Sequence, residues 1–84
     1  MKKSEGSPQV QFIKCELELG LTLVQLARAE RNNGNTEAAE QATARARTVL
    51  GDAQHFLGLI KTSATMRTEL NRKLEYLRLV IDSF

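Results

Sequence analysis

Tryptophan is absent from these 84 residues, and proline, cysteine and histidine occur once each. One cysteine excludes an internal disulfide, and no Cys/His cluster is present to build a zinc site. One tyrosine and three phenylalanines leave the core to Leu, Val, Ile and Ala. A single proline, Pro8, leaves the rest of the chain free of helix-breaking rings. No segment approaches the roughly 18 consecutive apolar residues of a membrane span. Met1-Lys2-Lys3 is followed by Ser4-Glu5-Gly6-Ser7-Pro8 rather than the apolar run of a signal peptide. The simplest location for such a chain is the cytoplasm.

Charge is nearly balanced, with 12 basic and 10 acidic residues and a formal net charge of +2. The isoelectric point near 9.0 reflects that small excess, and such a balance does not point to nucleic acid. The length suits one small domain, near the size at which a core is marginal without staples. Stability must come from long regular helices or from self-association.

What is present is helical periodicity in three long stretches. Residues 1–7 read as a disordered tail, and residues 8–84 as a three-helix domain. Ser7-Pro8 is a helix start, with Ser7 as cap and Pro8 in the first position. Helix one is expected from about Pro8 to about Arg31. Val10, Ile13, Leu17, Leu21 and Val24 form one apolar stripe, and Phe12, Leu19, Leu23 and Leu26 a second beside it. Together they take up roughly two thirds of the circumference, well beyond the ~100° stripe of an ordinary surface helix. Such a helix needs cover from two neighbours or from a partner molecule.

Asn32-Asn33-Gly34-Asn35 stops one helix and starts the next. Gly34 or an Asn takes the left-handed conformation, and Asn35 is placed to cap helix two. The turn folds two amphipathic helices into an antiparallel hairpin, a device mostly used to hold other proteins. Helix two carries Ala39, Ala42, Ala46, Val49, Ala53, Phe56 and Ile60 at unbroken three-four spacing, which favours one helix from about Thr36 to about Lys61. The competing reading is a break at Gly51 with Asp52 capping a new helix. Thr62 or Ser63 caps helix three, whose stripe is Met66, Leu70, Leu74, Leu77, Ile81 and Phe84. Short connections make sequential helices antiparallel neighbours, so the expected fold is all-α: a three-helix, up-down-up bundle.

Leu23, Leu26, Ala27, Gly34, Ala39 and Ala46 give residues 23–50 a resemblance to one tetratricopeptide repeat. Glu30 and Thr43 stand where that family prefers large aromatics, and Gly51 replaces its usual proline. From Val24 to Ile81 the chain also resembles the microtubule-interacting and trafficking (MIT) domain. Gly34-Asn35-Thr36-Glu37-Ala38-Ala39 and Lys73-Leu74-Glu75-Tyr76-Leu77-Arg78 carry that likeness. It implies a three-helix bundle with a groove beside helix three that accepts a helical peptide.

The chemistry-bearing residues are few. Cys15 and His55 have no third orienting group, so they read as a half-buried structural thiol and a solvated histidine. Glu16, within the apolar arc, is either a rim residue or a carboxylate paired with a helix-three base such as Arg72. The Glu-x-x-His pairs of a di-metal bundle are missing. No enzyme activity, cofactor or metal is expected. The expected function is non-catalytic binding of a protein or helical peptide, an acidic one included, along helices two and three. Phe56, Arg72, Tyr76, Leu77 and Arg78 are the candidate contacts. The alternative is a structural homo-oligomer, a homodimer included, that buries the apolar face of helix one. Third is nucleic-acid binding through Arg45, Arg47, Arg67, Arg72, Lys73 and Arg78.

Overall fold

The computed structural model describes residues 8–83. The expected tail over residues 1–7, the Ser7 cap and Phe84 lie outside them. Three helices follow in order: α1 (Pro8–Asn32), α2 (Thr36–Leu59) and α3 (Ala64–Asp82). The fold is an all-α three-helix bundle measuring 49 × 19 × 16 Å. Phe12 meets Phe56 edge-to-face at 4.9 Å, so α1 and α2 run antiparallel. Arg47, midway along α2, reaches Asp82 at the end of α3, and Arg67 near the start of α3 reaches Leu57 and Ile60 at the end of α2, so α3 reverses direction again. The pairing of α1 with α2 is the most extensive; α3 lies more sparsely against both.

The stripes explain the core. Val10, Ile13, Leu17, Leu23 and Val24 of α1 are buried with Val49, Ala53, Leu57 and Ile60. Met66, Leu70, Leu74, Leu77 and Ile81 complete the core from α3. Ala39, Ala42 and Ala46 are at most 4% exposed, which lets α2 lie close to α1. α1 is covered along its first stripe and only in part along its second. Of its second stripe Leu23 is buried, while Phe12, Leu19 and Leu26 remain 43–46% exposed.

The first connection is a Schellman turn. The Asn35 N–H donates to the Glu30 carbonyl at 2.8 Å and the Gly34 N–H to the Arg31 carbonyl at 3.0 Å. Gly34 carries the positive φ of 83° that this motif requires. The expected side-chain cap from Asn35 is not made: its amide donates to the Glu30 carboxylate at 2.9 Å, leaving the start of α2 without a side-chain acceptor. At the second connection the Ser63 hydroxyl accepts from the Met66 N–H at 3.1 Å, a cap of the expected kind.

α2 runs unbroken through Gly51 and Gly58, so no new helix starts at Asp52. Neither glycine has a neighbour within 4 Å of an added Cβ. Gly51→Ala is therefore expected to stabilise the fold by about 1 kcal/mol, the helix-propensity difference alone. Gly34→Ala should lose a similar amount, since an L-residue in the left-handed region costs roughly 1–2 kcal/mol. Urea midpoints of the two variants should move in opposite directions.

Candidate functional site: a groove between the first and third helices

One face of α1 and one flank of α3 diverge to leave a groove of about 520 Å³. Its lining places Leu17 and Leu21, one helical turn apart, with Lys14 and Glu18 from α1, and Arg72, Lys73 and Tyr76 from α3. Leu17 is 4% exposed and Leu21 is half-buried, so they form the apolar floor. Tyr76, at 59% exposure, stands as a wall with its ring accessible. Lys14, Arg72 and Lys73 set three positive charges at the rim against the single carboxylate of Glu18. Lys73 also lies 3.6 Å from Glu69 in an exposed i,i+4 pair, which leaves it a solvated, adaptable cation.

Helical spacing decides which expected contacts meet here. Arg72 and Tyr76, four residues apart on α3, share the groove. Leu77 does not: it is 1% exposed and belongs to the core. An added Cβ on Gly20 would stand 2.6 Å from its Cδ2, so the glycine opens the space that Leu77 fills. The expectation that Leu77 is a surface contact is thus corrected. Arg78 is exposed but lies on the opposite flank of α3, beside the row that carries Arg67. Phe56 is half-buried against Phe12, away from the groove. The groove therefore forms with helix one rather than helix two. The signal for that was in the sequence: Leu21 extends the buried stripe of α1 by one position, and Lys14 and Glu18 flank it.

Two further expectations change. Cys15 is exposed, not half-buried. Glu16 lies on the other side of α1 from the groove, so it is not the partner of Arg72, which faces Lys14, Leu17, Glu18 and Leu21 instead. His55 is exposed, as expected. The six basic residues of α2 and α3 do not act as one surface. Arg47 pairs with Asp82 at 3.1 Å, and Arg67 donates to the Leu57 and Ile60 carbonyls at 3.0 and 2.7 Å.

Among the described residues no group of three or more His, Cys, Asp or Glu side chains is arranged to hold a metal ion. No helix among them is long and apolar enough to cross a membrane. In comparisons with protein families, curated proteins and solved structures, nothing matches this chain.

Proposed function

We propose that this chain is a non-catalytic binding module whose α1/α3 groove takes an apolar segment flanked by acidic residues, presented as a short helix. The observation that carries this reading is the groove's composition: an apolar floor of Leu17 and Leu21 under a rim of Lys14, Arg72 and Lys73. Its volume of about 520 Å³ falls within the range of ligand-holding clefts, roughly 300–1,000 Å³. A helical ligand sets anchors at i and i+4 into such a floor, and its carboxylates meet the rim cations. The burial of the anchors supplies affinity, and the charges select the partner and speed encounter. The resemblance to the MIT domain supports the same use, because it implies a peptide groove beside helix three.

Tyr76 provides the measurement. It is the only tyrosine, and the chain has no tryptophan. A short helical peptide without aromatic residues, carrying Leu at i and i+4 between glutamates, is expected to perturb Tyr76 emission on titration. Arg72→Glu should weaken binding by about tenfold or more, since it sets a like charge against the ligand. Rising salt should weaken it too. An equal response to the same peptide with lysines in place of glutamates, or no response at all, would reject the proposal.

A further inference from the structure

The face of the α1/α2 hairpin opposite α3 is uncovered. On α1 it presents Phe12, Cys15, Leu19, Thr22 and Leu26, an uncharged row at three-four spacing. Phe12, Leu19 and Leu26 are 43–46% exposed, and Leu59 on α2 is 67% exposed. Loss of charge from the centre of a patch is a compositional mark of protein interfaces.

The pattern of this face is self-complementary. Phe12 and Leu26 lie equally far from Leu19 along α1. Asn32 and Thr36 flank the hairpin turn and Phe12 touches Phe56, so Leu19 lies level with Val49. On the outward side of α2 at that level, Arg45 and Asp52 sit on either side of Thr48. Among the described residues neither charge has an ion-pair partner within the chain.

We propose that two copies of this chain associate through these faces about a two-fold axis that passes at Leu19 and Thr48. That operation stacks α1 on the partner's α1 and α2 on the partner's α2, each pair antiparallel. Phe12 then meets Leu26 of the partner subunit and Arg45 meets the partner's Asp52, each contact formed twice, and Leu19 meets the partner's Leu19 once on the axis. A two-fold along the helices would instead set α1 on the partner's α2, leaving Arg45 and Asp52 opposite the uncharged row of Phe12, Cys15, Leu19, Thr22 and Leu26. Charge therefore selects the arrangement in which like helices stack antiparallel. Two helices of about 36 Å, side by side, present a face of roughly 700 Å². Standard interfaces bury about 600–1,000 Å² per partner, so this face falls within the range of a stable dimer. The α1/α3 groove lies outside it, and the dimer leaves that groove open.

Sedimentation equilibrium, charge swaps and cross-linking test the inference together. The wild-type chain is expected to be a dimer, and Leu19→Glu a folded monomer, since Leu19 is not a core residue. Arg45→Asp and Asp52→Arg should each weaken association by about tenfold or more. The combined swap should restore it. Under mild oxidation Leu19→Cys in a Cys15→Ser background should form an intersubunit disulfide. Cys15 should not, because antiparallel pairing separates the two copies of it by about 12 Å along the helices, beyond the ~7 Å Cα limit of a disulfide. A wild-type monomer at all concentrations, a double swap as weak as the single changes, or ready Cys15 cross-linking would overturn the arrangement. The peptide titration remains a separate readout. A Leu19→Glu monomer that still binds peptide isolates the groove, and a dimer that ignores the peptide counts against the groove alone.

Discussion

Leu77→Ala is expected to destabilise the bundle by roughly 2–5 kcal/mol, as removal of a buried leucine does when the cavity cannot collapse. A chain of this size has a total stability on the order of 4–12 kcal/mol, so the loss takes a large share of it. The melting temperature should fall by more than about 10 °C. Leu77 is 1% exposed and is held where α3 crosses Gly20 of α1. The same contact makes the effect of a second change depend on the first. In the wild type, Gly20→Ala adds helix propensity worth about 1 kcal/mol, but its Cβ meets the Leu77 Cδ2 at 2.6 Å. Overpacking of this kind costs about 1–3 kcal/mol, so the net change should be a loss or near zero. In the Leu77→Ala background the new methyl enters vacated space, and Gly20→Ala should stabilise. A double-mutant cycle read by urea denaturation should show coupling of about 1 kcal/mol or more. Additive changes would mean that the two residues are not in contact.

Arg67→Ala should cost about 2 kcal/mol, much more than Arg72→Ala, although both are arginines of α3. The Arg67 guanidinium donates to the Leu57 and Ile60 carbonyls at 3.0 and 2.7 Å. Those carbonyls belong to the last turn of α2 and its C-cap, where no intrahelical donor remains. A fixed cation there also meets the negative end of the helix dipole. Charge-assisted hydrogen bonds contribute roughly 1.5–3 kcal/mol each in favourable cases, and partial exposure of Arg67 lowers that value. Arg67→Met, which keeps the packed stem, should lose nearly as much as Arg67→Ala if the guanidinium carries the effect. Equal melting temperatures for Arg67→Ala and Arg72→Ala would show that the clamp contributes nothing. Because the clamp joins the end of α2 to the start of α3, its loss should raise hydrogen exchange first in α3, the more sparsely packed helix.

The three helices and their core stripes were legible in the residue order, because burial of an amphipathic helix is dictated by its own three-four spacing. Met66, Leu70, Leu74, Leu77, Ile81 and Phe84 read as one stripe, and the five of them within the described residues are buried. At the first turn the residue order leaves the left-handed position to Gly34 or an Asn; the structure gives it to Gly34, whose φ of 83° suits glycine best. A register that survives Gly51 is that of one helix, and α2 runs unbroken through it. The candidate contacts were less legible. Tyr76, Leu77 and Arg78 are consecutive, yet one lines a groove, one is in the core and one faces away. Adjacent residues on a helix point about 100° apart, so a contact surface cannot be chosen by adjacency.

The order of residues by itself determined three helices, two reversals and the apolar stripe that each helix buries. Those are consequences of local backbone preference and of periodicity, which a single strand of residues already contains. Tertiary structure alone decided which flank of α3 diverges from α1 to open the groove. It also decided that Phe12, Leu19 and Leu26 stay uncovered while Leu23 does not. Both depend on the angle and depth at which helices cross. The size of Leu77 against the absence of a side chain at Gly20 sets that approach, through a pairing of residues far apart in the chain.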